Sequence, residues 1–178
     1  MKKEEKAVLR ALLEREAIRD CVHRYTRGID RLDEALLLSA YHDDGLDDHG
    51  TARFDFVGSA RELYEAAKGM TQLQTSLHYV TNHVSEIDGD EAHAETYYLA
   101  MLRVDEGGRD VIRLGGGRYL DRLERRDGEW RIVDRVATGE WTTTLEPDSP
   151  PEAAAHPARR DDSDLSYARP LTVRGRDT

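Results

Sequence analysis

The chain has 178 residues, and its 26 Lys and Arg against 36 Asp and Glu give a formal net charge of −10. This acidic balance argues against nucleic acid and against anionic membranes as partners, because both require a basic surface. Hydrophobic residues make up 38% and charged residues 35%, which fits a polar globular domain better than a disordered chain. The single cysteine, Cys21, excludes a disulfide framework and a multi-cysteine metal site. No apolar run reaches the roughly 20 residues of a membrane helix and no signal peptide is visible, so we expect a cytoplasmic protein.

The first half of the chain has the spacing of helices. Asp33 is a candidate N-cap for a short second helix, and Ser59 with Glu62 has the spacing of a capping box that opens a third helix, ending near Gly69. Residues 41–58 are rich in Asp and Gly, and we expect a loop followed by a short strand there. The first helix is predicted from residues that recur at steps of three and four and so share one stripe: Leu9, Leu12, Leu13, Ile18, Cys21, Val22, Tyr25 and Ile29.

The second half has the pattern of a β-meander. The turn signals Asp88-Gly89, Gly107-Gly108 and Asp127-Gly128 divide residues 73–145 into four long segments rich in β-branched and aromatic residues. Strands this long must twist, and residues 115–117, all glycine, are a candidate bulge. We predict an α+β fold, in which a cone-shaped, strongly curled antiparallel sheet is covered by the N-terminal helices and encloses an apolar pocket.

A change in composition marks the end of the domain. All five prolines lie at or after Pro147, and the sequence beyond has no apolar periodicity. We predict one domain over residues 1–145 and a C-terminal tail over residues 146–178, which is either disordered or an arm over a neighbouring surface. Three apolar residues are candidates to anchor such an arm on the domain or on a second subunit: Leu165, Tyr167 and Leu171.

Asp30 and His78 are the residues with the clearest potential for chemistry. Asp30 directly follows the apolar stripe of the first helix, where a carboxylate is unusual unless it is paired. From the residues alone, Asp30 either caps the helix end in solvent or pairs with an inward-facing His78 from the β-like run TSLHYVTNHV. His78 itself is either a hydrogen-bonded core residue or a functional one. An Asp beside a His fixes the imidazole tautomer and raises its basicity, which suits a general base.

The acidic cluster at residues 42–49 contains residue types that bind metals. Its spacing fits no EF-hand and the HExxH motif is absent, so we predict no metal site and interpret it as a solvated turn. His49 ends this cluster just before the expected strand, from which it could reach the mouth of the pocket. Cys21 lies on the core stripe, and we expect it to serve in packing.

Several segments together resemble the SnoaL-like branch of the nuclear-transport-factor-2-like superfamily. They are a helix ending in YTRGIDRLD, the segment YHDDGLDDHG, a strand with LHYVTN, a Gly-Arg-Tyr strand and a last strand GEWRIVDR, over about residues 8–142. The resemblance implies a cone-shaped α+β barrel with a deep apolar pocket. It also implies a homodimer or homotrimer, and neither metal nor organic cofactor.

The resemblance also implies roles for individual residues. In dehydratase and dehydrochlorinase members of the branch, an Asp near the end of the first helix orients a strand His that abstracts a proton, and Asp30 and His78 fall on these positions. Tyr25 matches a pocket tyrosine that would hydrogen-bond a substrate carbonyl or leaving group. Arg135 resembles a pocket arginine, with a surface strand arginine as the alternative. His49, where a dehydratase relative has tyrosine, is the other candidate to contact substrate.

These expectations define two functions. The first is cofactor-free abstraction of a proton from carbon of an uncharged polycyclic or aromatic small molecule, by elimination first, with isomerisation and cyclisation close behind. The second is a non-catalytic small-molecule-binding or assembly module of the same fold, like the small subunit of ring-hydroxylating dioxygenases, because fold alone does not determine function. An Asp30–His78 pair lining one enclosed pocket favours the enzyme.

Overall fold

The computed structural model describes residues 2–50, 56–149 and 156–173. None of the helices in these segments is long and apolar enough to cross a membrane. The described elements are three α-helices, six β-strands and a 3₁₀ turn at Leu165–Tyr167. In chain order the helices and strands are α1 (Lys3–Arg31), α2 (Glu34–Ser39), β1 (Tyr41–Asp48), β2 (Val57–Ser59), α3 (Ala60–Gly69), β3 (Leu73–Asp88), β4 (Glu91–Asp105), β5 (Asp110–Arg126) and β6 (Glu129–Leu145).

The predicted helices form where their capping residues lie. Helix α1 ends at a left-handed Leu32, and the Asp33 carboxylate then accepts a hydrogen bond from Leu36 N at 3.0 Å, which caps α2. Ser59 and Glu62 form the predicted capping box of α3. The apolar stripe of α1 is buried only from Ile18 onward. Its N-terminal part is exposed, because no described element covers it: Val8, Leu9, Leu12 and Leu13.

One six-stranded sheet, in the order β2-β1-β6-β5-β4-β3, supports the helices. Strands β3 to β6 form the predicted antiparallel meander, and the three predicted turns connect them. The predicted irregularity at the glycines is present as a register shift of β5 against β6 between Gly116 and Gly117, with the extra residue, Glu140, on β6. A Cβ atom at Gly117 would lie 1.8 Å from the carbonyl oxygen of Thr138, so only glycine fits there. Helix α1 contacts both β3, at one edge of the sheet, and β6.

The segment predicted to be a loop at residues 41–48 is instead strand β1. It pairs with β6 in parallel and with β2 in antiparallel, so the sheet is mixed and not purely antiparallel. Asp and Gly are weak strand formers, which is why the local sequence favoured a loop. Two inward side chains and a long-range pairing hold the strand, because Tyr41 and Asp47 are both buried and the Tyr41 hydroxyl donates to the Asp47 carboxylate.

The core lies between the helices and the sheet, and Cys21 belongs to it. Its thiol donates to the carbonyl oxygen of Trp130 at 2.7 Å, and burial raises its pKa to about 11. The thiol is therefore protonated at neutral pH and serves in packing, as predicted. The largest fully buried apolar or aromatic side chains around it are Ile18, Val22, Tyr25, Leu37, Tyr41, Tyr119, Leu123 and Ile132.

Residues 156–173 lie as an arm against the end of α1 and the start of α2. The Tyr167 hydroxyl donates to Asp33 Oδ2 at 2.8 Å, and the Tyr167 ring lies 5.0 Å from the Arg27 guanidinium. Leu165 and Leu171 are 53% and 69% exposed in this chain, so polar contacts, and not these leucines, hold the arm on the domain. The division at residue 145 and contact with a second subunit stay predictions.

Candidate active site

A cavity of about 350 Å³ lies between the helices and the sheet. Its walls are mainly apolar, as the sequence predicted for the pocket. Polar side chains interrupt this apolar surface at several points, as in small-molecule sites where polar groups fix the orientation of a ligand. The apolar walls include Ile29, Leu63, Met70, Leu73, Leu102 and Leu114, and the polar lining includes Tyr25, His49, Ser76, His78, Tyr98 and Tyr119.

Asp30 and His78 form the predicted hydrogen-bonded pair at this cavity. Asp30 lies in the last turn of α1 and is buried, and its Oδ1 is 2.7 Å from His78 Nδ1. The same carboxylate accepts the backbone N–H of His78 at 2.9 Å and the hydroxyl of Ser76 at 2.7 Å. With Nδ1 donating to Asp30, the basic lone pair of the neutral imidazole lies on Nε2. His78 lines the cavity, so Nε2 is the nitrogen available to a bound molecule.

The hydrogen bonds around Asp30 determine its charge. Burial is the largest single influence and favours the neutral acid, but hydrogen bonds from His78 and Ser76 favour the carboxylate. Together these bonds outweigh burial and hold the pKa of Asp30 below its ordinary value. Asp30 is therefore ionised at neutral pH, and its carboxylate fixes the orientation of the His78 imidazole.

A second His–Asp pair lies at the same cavity. His49 Nε2 is 3.0 Å from Asp47 Oδ1 and 3.3 Å from the Tyr25 hydroxyl, and both His49 and Tyr25 line the cavity. Burial raises the pKa of Tyr25 well above its ordinary range, so it stays a neutral hydrogen-bond donor. Asp47, completely buried, was not among the predicted residues. The signal for it was the spacing of two residues to His49, which places both side chains on one face once β1 is known to be a strand.

Arg135 does not line the cavity. It lies opposite Asp121 in the β5–β6 ladder, and its buried guanidinium makes two hydrogen bonds to that carboxylate, at 2.6 and 2.7 Å. The guanidinium carbon lies 4.1 Å from the centre of the Tyr25 ring and 4.3 Å from that of Tyr119. Arg135 thus supports the cavity wall from behind. Neither the predicted substrate contact nor a surface position agrees with this burial.

Arg160 lines the cavity, although nothing in the sequence pointed to it. It comes from the C-terminal arm, and its guanidinium lies over the end of α1, 3.4 Å from the carbonyl oxygens of Ile29 and Asp30. Arg160 and Asp30 are 130 positions apart in the sequence, so no local sequence pattern could indicate that they lie together.

Two side chains of the acidic cluster at 42–49 make contacts with strand β5. His42 Nε2 lies 2.9 Å from the carbonyl oxygen of Glu124, and Asp44 pairs with Arg126 at 2.7 Å. Within the described segments, no group of three or more His, Cys, Asp or Glu side chains is placed to hold a metal ion.

Comparisons with known proteins agree with this fold. Hexachlorocyclohexane dehydrochlorinase (LinA) type 2 is similar, with 23% identity and a TM-score of 0.69, over 80% of this chain and 97% of that one. A putative scytalone dehydratase from Novosphingobium aromaticivorans has 22% identity and a TM-score of 0.63, over 79% and 96%. A variant of Rv3472 from Mycobacterium tuberculosis has 23% identity and a TM-score of 0.61, over 99% of both chains. No curated protein matches this chain in sequence.

At these identities the structural neighbours show a shared fold and not a shared reaction. The family is shown by the sequence itself, because residues 10–136 match the profile of the SnoaL-like domain. With helices over one sheet and a cavity between them, the protein belongs to the SnoaL-like branch of the nuclear-transport-factor-2-like superfamily.

Proposed function

We propose that the protein is a cofactor-free acid–base enzyme that removes a proton from a carbon atom of an apolar aromatic or polycyclic small molecule. The observation that carries the proposal is the Asp30–His78 pair, at 2.7 Å, with His78 on the wall of a largely apolar cavity. A binding or assembly module has no need of a buried carboxylate whose oxygens accept hydrogen bonds from one histidine, His78, and from Ser76. An enzyme that needs a base near neutral pH does need this arrangement.

In the proposed reaction, His78 Nε2 takes the proton from carbon. The electron pair of the broken C–H bond forms a double bond or an enolate, and Asp30 stabilises the imidazolium that results. In an elimination, the bond to the leaving group breaks and this group departs with its electron pair. Tyr25 and His49, on the same cavity, would donate hydrogen bonds to the leaving group or to the enolate oxygen.

Elimination is the leading reaction because the cavity offers two separate sets of polar groups. His78 with Asp30 provides the base, and Tyr25 and His49, the latter backed by the Asp47 carboxylate, provide the hydrogen-bond donors. The names of two structural neighbours, a dehydrochlorinase and a putative dehydratase, also denote eliminations. Isomerisation and cyclisation share the first step and are the next candidates.

The cavity favours a compact substrate. Its volume of about 350 Å³ is at the small end of the roughly 300–1,000 Å³ that small-molecule sites span. Its apolar walls would bury a ring system, and burial of apolar surface would supply most of the binding free energy.

The test is hydrogen–deuterium exchange at carbon in deuterated buffer, followed by NMR, over a panel of aromatic and polycyclic ketones and alcohols. The wild type should exchange a carbon-bound hydrogen of at least one compound, and His78→Gln should lose this exchange. His93→Gln is the matched control, because His93 is an exposed strand histidine outside this cavity. A panel without exchange, or a fully active His78→Gln, would favour the binding module.

A further inference from the structure

The cavity has an unbalanced positive charge. Among the described residues that line it are two arginines, Arg113 and Arg160, and no Asp or Glu. Arg113 is paired with Glu106, at 2.8 Å from its Nε, and its side chain is 45% exposed. Arg160 has no carboxylate partner in the described part of the chain. Of the two arginines that line the cavity, Arg113 has a carboxylate in a salt bridge, whereas the charge of Asp30 acts on Arg160 without a salt bridge among the described residues.

Three contacts position the Arg160 guanidinium and leave some of its N–H donors free. Its guanidinium donates to the carbonyl oxygens of Ile29 and Asp30 at 3.4 Å, and to that of Leu73 at 3.3 Å. These are long hydrogen bonds to neutral acceptors, and the negative end of the α1 dipole adds to them. A guanidinium carries five N–H donors, so two remain beyond these three contacts.

Partial burial makes the charged guanidinium of Arg160 energetically unfavourable. Burial is the main influence on Arg160 and lowers its pKa from the ordinary value, although the nearby Asp30 works in the opposite direction. Arginine nevertheless stays protonated at neutral pH. A desolvated guanidinium that keeps its charge gains more from a carboxylate or oxyanion than an exposed one does.

The arm is fixed so that Arg160 stays at this position. Asp164 accepts hydrogen bonds from the backbone N–H groups of Arg159 at 2.8 Å and Ser166 at 2.9 Å, which close the chain around its carboxylate. Arg31 of α1 lies 3.7 Å from the same carboxylate. The contact of Tyr167 with Asp33 adds a second attachment. The arm is thus anchored to the helix that carries Asp30.

We propose that Arg160 binds an anionic oxygen group of the substrate, so that the natural ligand is an apolar ring compound bearing one carboxylate or an equivalent oxyanion. The inference rests on the proposed function only in that the substrate occupies this cavity. It replaces the uncharged substrate expected from the sequence with an amphiphilic acid. It also gives the C-terminal arm a function, which is to supply the binding residue for the charged end of the molecule.

The test measures affinity and does not depend on turnover. Isothermal titration of the full chain compares three carboxylates, benzoate, cinnamate and 2-naphthoate, with their neutral amides of nearly equal shape. The wild type should bind at least one acid about ten- to a hundredfold more tightly than its amide, the factor expected for a charge-assisted hydrogen-bonded pair. Arg160→Gln should abolish this preference, and Arg160→Lys should restore part of it.

Arg159→Gln is the matched control, because it removes the same charge from an exposed neighbour on the same arm and should keep the preference. A wild type with no acid preference across the panel, or an Arg160→Gln variant that keeps it, overturns the inference. His78→Gln separates the two proposals: it should lose proton exchange and retain the acid preference. An acid preference without any exchange would contradict the proposed enzyme alone, and exchange without the preference would contradict only the role of Arg160.

Discussion

Replacing Asp30 with Asn tests the central pair with the smallest change in shape. Asp30 accepts three hydrogen bonds, from Nδ1 and the backbone N of His78 and from Ser76 Oγ, at 2.7, 2.9 and 2.7 Å. Asn keeps one acceptor oxygen and replaces the other with an NH₂ group that only donates. At least one of these donors then loses its best acceptor, and the His78 ring loses the carboxylate that fixes its orientation.

Two effects are expected of Asp30→Asn, one on stability and one on the rate of proton exchange. A buried donor left without its acceptor costs about 1–3 kcal/mol, so the free energy of unfolding of Asp30→Asn should fall by that amount at neutral pH. General-base catalysis contributes about 10²–10⁴-fold, and kcat for proton exchange should fall within this range. KM should change little, because Asp30 lies behind His78 and does not line the cavity.

The effect on stability should depend on pH. Hydrogen bonds hold the pKa of Asp30 below the value of about 3.9 that an unfolded chain gives it. A carboxyl with a lowered folded pKa stabilises the fold above its unfolded pKa, and this contribution is lost as the pH falls through the folded value. The wild type should therefore lose stability more steeply than Asp30→Asn below about pH 4.

Urea unfolding from neutral pH down to about pH 3 measures this difference, and exchange kinetics measure kcat. Asp20→Asn is the control, since Asp20 is an exposed carboxylate on the same helix and its removal should leave kcat unchanged. A difference in unfolding free energy that stays constant over the whole pH range would refute the assignment of Asp30 as the ionised partner. An Asp30→Asn variant with wild-type kcat would refute its role in orienting the base.

Three further predictions concern other parts of the site. Tyr25→Phe should lower kcat about 10- to 1,000-fold in the exchange assay, because one donor at the cavity is lost while the ring packing remains. Arg135→Met should lower the free energy of unfolding by about 3–5 kcal/mol in urea titrations, since it leaves Asp121 as a buried unpaired charge. Deleting residues 147–178 should leave the far-UV circular dichroism near that of the wild type, because β6 ends at Leu145. The truncated chain should nevertheless lose the preference for acids in calorimetry, and an insoluble or unfolded product would contradict the boundary.

The parts of the fold that depend on local chemistry could be predicted from the sequence. The caps at Asp33 and Ser59 follow from side chains that bond nearby backbone, and the irregularity at residues 115–117 follows from glycines that leave room for a close approach of backbone. The Asp30–His78 contact depends on tertiary structure, and the residues alone left it open. The resemblance to a family supplied the register in which helix end and strand meet.

The features that sequence reasoning missed all depend on long-range pairing. Strand β1 is poor in strand-forming residues and is held by its ladder with β6, so its local composition was misleading. Asp47 was missed as the partner of His49 for the same reason. Arg135 is charged yet completely buried, and only the opposite position of Asp121 on β5 makes that possible. Arg160 reaches the cavity from an arm whose anchors are polar and spread over two helices.

Two carboxylates behind two histidines give the cavity a directional chemistry. The Asp30 carboxylate accepts hydrogen bonds from His78 and Ser76, and in the proposed reaction it would support a histidine that accepts a proton. The other pair is arranged differently, because the Tyr25 hydroxyl lies 3.3 Å from His49 Nε2 and stays protonated through burial. A reaction that returns the same proton to a neighbouring carbon would need only the first pair. A reaction that also expels a leaving group needs a donor on the second, which is why we expect elimination to be faster than isomerisation with any substrate that offers both.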